Sequence, residues 1–426
     1  MSKRLNIILG VIVTIALTLC GLSFLTKQMA LKTSDNKYRG FYEEAKKHDF
    51  DVVFAGSSHV IDGVYPMELW NDYGIASYNL GVHGSLVPTT YWTVRNMLDY
   101  NTPKLLVLDC GLAGEETKTN VSYSFVHQAF DAVPLSVNKV RAIYDLLNDP
   151  VMDAKIASGE AVVTEKRIPG GLLWNYSVYH GRYDELTEED FVPAENRNRG
   201  AETKVGLAIP NKMPEYSEDL FLEKETVGIE YIRKTIELCK ENNIEILLTY
   251  IPFPYTEIDI KAANTISNVA NEYGVGYINF LNMNVVDFDV DMFDPDSHLN
   301  VSGARKITNY IGQYIKDNYD IPDERENPEF DSWKSDYVQY EKDLLYLLEI
   351  AKTPEECLVL ANSDRYRTKM YVKSEMKIDN ERYKKIIRNI NIYGNIEAVV
   401  DPEMSANYVI ELYDANGDTL LLRREY

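Results

Sequence analysis

The chain has 426 residues, of which 45% are hydrophobic and 11% aromatic, enough to bury a large core in one main domain with at least one smaller unit. Its formal net charge of −22 at pH 7 would repel a phosphate backbone, which argues against nucleic acid as a partner. The cysteines Cys20, Cys110, Cys239 and Cys357 lie far apart, without a CxxC pair or a histidine at metal-ligand spacing. They predict neither a metal site nor a disulfide framework, and the apolar contexts of Cys110 and Cys239 predict buried thiols.

A long apolar run stands near the N-terminus. Residues 5–25 carry no charge, with Lys3 and Arg4 before them and Lys27 behind. A helix of this length spans about 30 Å, the thickness of a bilayer core. We therefore predict a single-pass anchor and stalk in residues 1–40, with the N-terminus in the cytoplasm and the rest of the chain outside. A cleaved signal peptide is the alternative, and it also places the domain outside the cytoplasm.

Short apolar runs alternate with helical patterns after the stalk, which is typical of strand-helix-strand units that build a parallel sheet. The predicted strands are residues 51–55, 76–80, 104–109, 244–251 and 276–280. The predicted helices are residues 66–73, 89–98, 227–242, 258–273 and 302–319. This rhythm predicts an α/β domain over residues 41–320 with a doubly wound, five-stranded parallel sheet. Ligands of such sheets bind beyond the carboxyl ends of the strands.

Two segments depart from this rhythm. Residues 111–225 are rich in aromatic, glycine, asparagine and acidic residues and are too long for an ordinary connection, so we interpret them as an insertion over the active edge of the sheet. Residues 320–327 resemble a linker to a small α+β unit over 321–426. In that unit we predict a helix at 337–352 and strands at 394–400, 408–413 and 419–424, with a hairpin turn at 414–418.

The first candidate for chemistry follows the first predicted strand, in the run Gly56-Ser57-Ser58-His59. Glycine and small hydroxyl residues let the chain turn sharply off a strand and present a side chain above the sheet, beside free N–H groups of the next helix. This arrangement suits an exposed nucleophile. An ordinary strand-to-helix turn with serine as the N-cap is the alternative.

The second candidate lies far along the chain, where Asp294, Asp296 and His298 stand just before the last helix of the main domain. A histidine in a loop beside a carboxylate can take a proton from a hydroxyl while the carboxylate selects its tautomer. Taken alone, such a loop is more often a surface turn. The presence of both segments in one chain strengthens the catalytic interpretation of each.

With these two segments the chain resembles the SGNH/GDSL hydrolase superfamily over about residues 45–320. The resemblance implies that Ser58 is the nucleophile, that His298 is the base and that Asp296 orients it. It also implies an oxyanion site made by the amides of Ser58 and Gly81, with Asn79 as a further candidate. The Gly-Ser-Ser variant is similar to the extracellular branch that includes alginate O-acetyltransferase-like proteins and the D-alanyl transfer protein of teichoic acid modification.

The chain departs from the family pattern at two places. The third family motif, Gly-x-Asn-Asp, should supply an asparagine to the oxyanion site, but here the third strand continues into Asp109-Cys110-Gly111. The family's last aspartate usually stands three residues before the histidine, where this chain has Pro295. We choose Asp296 as the carboxylate because its two-residue spacing keeps it in one tight loop with His298. Asp294, which the following proline biases toward an extended backbone, is the alternative.

Three residues of the insertion, His127, His180 and Arg182, are weaker candidates for lining a sugar or acyl pocket. Ordinary packed or solvated side chains are the favoured interpretation of all three.

Together these observations predict an extracytoplasmic serine esterase or O-acyltransferase that needs no metal or cofactor. The resemblance implies acylated cell-envelope or exported polysaccharide as substrate and a membrane-bound acyltransferase as a possible partner. The alternative is a catalytically weak domain that binds polysaccharide or docks onto such an acyltransferase.

Overall fold

The computed structural model describes residues 3–29, 37–162, 169–174, 178, 180–191, 196–373 and 394–426. Its centre is a five-stranded parallel sheet in the order β2-β1-β3-β4-β5. The strands are β1 (Val52–Ala55), β2 (Ser77–Asn79), β3 (Leu105–Asp109), β4 (Glu245–Tyr250) and β5 (Gly276–Asn279). The predicted α/β fold with a doubly wound sheet is therefore confirmed.

The sheet is covered by helices, and its central strands β1 and β3 are buried along their whole length. β1 is apolar throughout and β3 is apolar up to its last residue, Asp109, as is typical of strands covered on two faces. The described α-helices before residue 320 are α1 (Lys3–Met29), α2 (Lys37–Glu44), α3 (Ser58–Gly63), α4 (Pro66–Tyr73), α5 (Val87–Met97), α6 (Ser124–Phe130), α7 (Val137–Leu147), α8 (Pro150–Ser158), α9 (Pro169–Leu173), α10 (Val227–Glu241), α11 (Glu257–Tyr273) and α12 (Val301–Asn318). The five predicted helices correspond to α4, α5, α10, α11 and α12.

The strand order places the site. The chain moves from β1 outward to β2 on one side and then returns to place β3 on the other side of β1. The carboxyl ends of β1 and β3 therefore flank the point where the strand order reverses, which is where open α/β sheets bind their ligands. Gly56 follows β1 at this point, and a Cβ there would lie 2.8 Å from the Cβ of Asp109 at the end of β3. Only glycine allows the two strand ends to approach so closely.

Helix α1 contains an apolar span, Arg4–Leu25, that is long enough to cross a membrane and is not buried against the rest of the structure. A membrane anchor and a signal sequence share these properties. The predicted burial of Cys110 and Cys239 is confirmed, since both thiols are free and buried.

The C-terminal unit contains α13 (Asp331–Ile350), α14 (Pro354–Ala361) and a sheet in the order β7-β6-β8-β9. The strands are β6 (Tyr366–Val372), β7 (Ile396–Val400), β8 (Tyr408–Asp414) and β9 (Leu420–Glu425). The predicted hairpin is confirmed, because β8 and β9 pair antiparallel. The sequence analysis did not predict α14 or β6, and α13 begins six residues before its predicted start at residue 337.

A buried charge cluster joins this unit to the main domain. Glu68 on α4 accepts hydrogen bonds from Arg305 on α12 (3.0 Å), Tyr340 on α13 (2.9 Å) and Arg365 just before β6 (3.1 Å). Burial by itself would raise the pKa of Glu68, but the charges of Arg365 and Arg305 outweigh it and hold that pKa below its usual value. An ionised carboxylate between two arginines thus packs the C-terminal unit directly against α4 and α12.

Candidate active site

Ser58 is the first residue of α3, directly after the turn that leaves β1. The preceding residue, Ser57, is the N-cap, and its side chain accepts a hydrogen bond from the His59 amide at 3.3 Å. The two interpretations of the Gly-Ser-Ser turn therefore apply to different residues, with capping by Ser57 and a hydroxyl for chemistry on Ser58. Ser58 is 8% exposed. Its amide, at the first helical position, has no acceptor in the part of the chain that the structure describes.

The residue that contacts the Ser58 hydroxyl is His298, from the last part of the main domain. The Nε2 atom of His298 lies 2.8 Å from Ser58 Oγ, and the His298 side chain is 25% exposed. The two residues are 240 positions apart in sequence. The parallel sheet brings them together because Ser58 follows β1 and His298 lies in the segment after β5, and parallel strands end at the same edge of the sheet. The geometry is that of a serine hydroxyl bonded to its general base.

The carboxylate on the other nitrogen of this histidine is Asp294, whose Oδ2 contacts His298 Nδ1. Its Oδ1 accepts hydrogen bonds from the backbone amides of Asp296 (3.3 Å), Ser297 (2.8 Å) and His298 (3.0 Å). Burial alone would raise the pKa of Asp294, but its bonds to His298 and Ser297 hold that pKa below the ordinary value. Asp294 therefore carries a negative charge against the imidazole at neutral pH.

The choice of Asp296 as the orienting carboxylate is corrected by this geometry. Asp296 is exposed, and its Oδ1 accepts from the neighbouring Ser297 hydroxyl at 3.3 Å. Asp294 both caps the turn and binds the imidazole. Its Oδ1 curls the following residues into a turn, and that turn brings His298, four residues later, back over Oδ2.

The predicted oxyanion donors are only partly placed. The Gly81 amide donates to Asn79 Oδ1 at 3.0 Å, and Asn79 Nδ2 donates to the carbonyls of Val60 (2.7 Å) and Val64 (3.0 Å). Asn79 is fully buried. It thus braces the end of β2 against α3 instead of facing an open site, and the assignment of Asn79 and Gly81 as oxyanion donors is corrected. A role of the Ser58 amide as an oxyanion donor remains a prediction.

Gly81 has a packing role instead. A Cβ at this position would lie 2.8 Å from the Ser57 carbonyl oxygen and 2.8 Å from a side-chain carbon of Ile61. Glycine therefore lets the loop after β2 press against the first turn of α3.

Where the third family motif would follow β3, this chain has a buried aspartate, Asp109, close to His59. Asp109 accepts hydrogen bonds from the amides of Ile251 (2.8 Å) and Gly111 (3.3 Å), and it lies 4.0 Å from His59 Nδ1. Burial raises the pKa of Asp109 to about 7 and, together with the nearby charge of His298, lowers that of His59 to about 3. His59 also stacks on Phe253, with ring centroids 4.3 Å apart. His59 is thus an uncharged, packed side chain next to Ser58 in sequence.

The three weaker candidates belong to the insertion. His127 Nδ1 bonds Asp131 at 2.9 Å. Arg182 donates to the Met29 carbonyl at the end of α1 (2.8 Å) and to Asp190 (3.4 Å). The side chain of His180 lies outside the described residues. A substrate-binding role for these three residues remains a prediction.

Two further charged residues, Asp62 and Lys204, lie at the site and were not predicted from the sequence. Asp62 Oδ2 lies 3.8 Å from His298 Nε2, and Lys204 Nζ lies 3.7 Å from Asp62 Oδ1. Lys204 also bonds Glu202 at 2.9 Å, which in turn bonds His83 at 3.2 Å. For Asp62 a signal was available, because four residues after Ser58 in a helix is the same face. For Lys204, on an extended part of the insertion, no sequence pattern indicated the site.

Comparison with known proteins adds little to this geometry. No protein-family description and no curated protein matches the chain. Among solved structures, a Bacteroides fragilis protein provisionally described as an acylhydrolase matches with 13% sequence identity and a TM-score of 0.33, over 67% of this chain and 99% of that chain. A likeness at this level assigns no function. The functional assignment therefore depends on the arrangement of Ser58, His298 and Asp294.

Proposed function

We propose that this chain is a serine-dependent acyl-transfer enzyme, an esterase or O-acyltransferase that acts on acyl esters of cell-envelope or exported polysaccharide. The observation that supports it is the continuous relay from Asp294 through His298 to Ser58 Oγ. A binding module has no need for a buried hydroxyl bonded to a carboxylate-oriented histidine. The polysaccharide class comes from the resemblance to the extracellular Gly-Ser-Ser branch.

In the proposed reaction Ser58 Oγ attacks the ester carbonyl carbon while its proton moves to His298 Nε2. The carbonyl electron pair moves onto oxygen, where the Ser58 amide donates a hydrogen bond. Collapse of this intermediate expels the alcohol, which takes the proton from Nε2 and leaves an acyl group on Ser58. Water or a sugar hydroxyl then removes the acyl group by the same steps in reverse, with His298 again as base.

The test of this proposal uses the full chain in detergent with p-nitrophenyl acetate and with acetylated glycans. We expect saturable release of acetate, and acetyl transfer to an added oligosaccharide if the enzyme is a transferase. A His298→Ala variant, checked for folding by circular dichroism, provides the control. Release that is equal in wild type and control would contradict the proposal.

A second candidate, a catalytically weak polysaccharide-binding or acyltransferase-docking protein, is favoured by one observation. The chain lacks the asparagine of the third family motif, and the Gly81 amide already donates to Asn79 Oδ1. Two of the expected oxyanion donors are therefore not supplied. This candidate predicts glycan binding by calorimetry without acetate release, and with equal affinity in wild type and the His298→Ala variant.

The proposed location is the outer face of a membrane, with α1 as an uncleaved single-pass anchor. Protease added to intact spheroplasts should digest the domain after α1 while leaving cytoplasmic proteins intact. Mass spectrometry of the membrane-bound chain should recover residues of α1, whereas a cleaved signal peptide would leave a soluble product without them. Full protection of the domain with an intact membrane would contradict the outward orientation.

A further inference from the structure

Asp62 lies on the same face of α3 as Ser58, one helical turn later. It is fully buried (0% exposed), and its Oδ2 is 3.8 Å from His298 Nε2, the nitrogen that bonds Ser58. Asp294 contacts the opposite nitrogen of the same ring. Among the described residues, these are the two carboxylates within 4.0 Å of the His298 ring nitrogens.

We infer that Asp62 is a positioning residue of the proposed acyl-transfer site, which stabilises protonated His298 from the serine side. The inference rests on the proposed function. When Ser58 Oγ bonds the carbonyl carbon, its proton arrives on Nε2 and the ring becomes positive. Asp294 then faces one N–H of the cation and Asp62 lies beside the other, so the charge that forms in the transition state meets a carboxylate at each nitrogen. Asp62 exchanges no proton in this sequence, since the proton goes from Ser58 to His298 and on to the leaving alcohol.

Lys204 explains how a buried carboxylate can remain charged there. Its Nζ lies between Asp62 Oδ1 (3.7 Å) and Glu202 Oε2 (2.9 Å). Burial alone would lower the pKa of Lys204, but these two carboxylates outweigh it and raise that pKa above its usual value. Lys204 is thus a permanent cation that balances Asp62 while His298 is neutral.

The backbone fixes this arrangement. The Glu202 amide donates to the Ile61 carbonyl of α3 at 3.1 Å, and the Val301 amide of α12 donates to the Lys204 carbonyl at 2.9 Å. The end of the insertion is thereby tied both to the helix that carries Ser58 and to the helix that follows His298. These two hydrogen bonds hold the backbone at Lys204 in place relative to both Ser58 and His298.

The other charged or titratable groups around His298 act differently. His59, whose ring centroid is 6.4 Å from that of His298, has a pKa lowered to about 3 by burial and is neutral in the working range. Asp109 lies behind His59, at 4.0 Å from its Nδ1. Glu202 bonds Lys204 at 2.9 Å and His83 at 3.2 Å. Asp62 is therefore the group whose neutralisation should change the titration of His298 at Nε2.

The test is Asp62→Asn in the full chain in detergent, with kcat/KM for p-nitrophenyl acetate measured from about pH 4 to 9. His298 must be neutral to act, so the acid limb of the profile reports its pKa. Loss of a nearby carboxylate disfavours the imidazolium, and we expect the limb to move to lower pH by about one unit and the plateau to fall about tenfold. Glu202→Gln removes the negative charge of the other carboxylate that contacts Lys204. This variant should move the acid limb by less than half as much.

A second measurement is independent of activity. The imidazole of His298 can be titrated by NMR in histidine-labelled protein, with its signal assigned by loss in His298→Gln. We expect its pKa to fall in Asp62→Asn and, if that variant misfolds, in Asp62→Ser. An unchanged or raised His298 pKa in a folded variant would overturn the inference, as would an equal shift in Glu202→Gln. Because this titration needs no substrate, its result stands even if no esterase activity is found.

Discussion

Replacement of Ser58 by alanine is expected to reduce ester turnover by up to ~10⁶-fold, the largest effect that any single substitution in this chain should have. In the proposed reaction this hydroxyl bonds the carbonyl carbon, and its Oγ lies 2.8 Å from His298 Nε2. Measured kcat/KM for p-nitrophenyl acetate should fall to the background rate. A fluorophosphonate probe, which labels activated serines, should no longer label the chain.

Ser57→Ala is the matched control, because Ser57 is the adjacent residue with the same side chain but caps α3. Its loss should cost about 1 kcal/mol of the free energy of unfolding while probe labelling persists. Labelling that survives in Ser58→Ala and disappears in Ser57→Ala would transfer the nucleophile to Ser57.

Asp294→Asn is expected to lower kcat/KM by ~10³ to 10⁴-fold, and Asp296→Asn by less than about tenfold. Asparagine keeps an Oδ1 that can accept from the three backbone amides of the turn, so the loop should hold its shape. What changes is the charge and the tautomer preference at His298 Nδ1, which Asp294 contacts and Asp296 does not. The pair therefore separates the electrostatic contribution of Asp294 from its role in folding the turn.

Kinetics of both variants, with folding verified by circular dichroism, provide the measurement. Equal losses in the two variants would indicate that turn order matters more than the carboxylate at Nδ1. A larger loss in Asp296→Asn would restore Asp296 as the orienting residue and contradict the arrangement seen in the structure.

The architecture of the main domain could be predicted from the sequence because it depends on local periodicity. Buried parallel strands such as β1 are continuously apolar, and in amphipathic helices such as α11 the apolar residues recur every three to four positions. The C-terminal unit was predicted less completely. Its strand β6 alternates buried and exposed residues around the charged Arg367 and Lys369, a pattern whose significance becomes clear only beside the partner strands β7 and β8.

The sequence by itself determined which residue types are available for the proposed chemistry, since Ser58 at a strand end and His298 beside carboxylates are local patterns. Only the tertiary structure decided which carboxylate reaches the imidazole, that the Gly81 amide is occupied by Asn79, and that Asp62 and Lys204 join the site. The physical reason is distance. Hydrogen bonds and charge interactions act over 3 to 4 Å, and spacing along a loop or across an insertion does not determine positions at that scale until the fold brings the segments together.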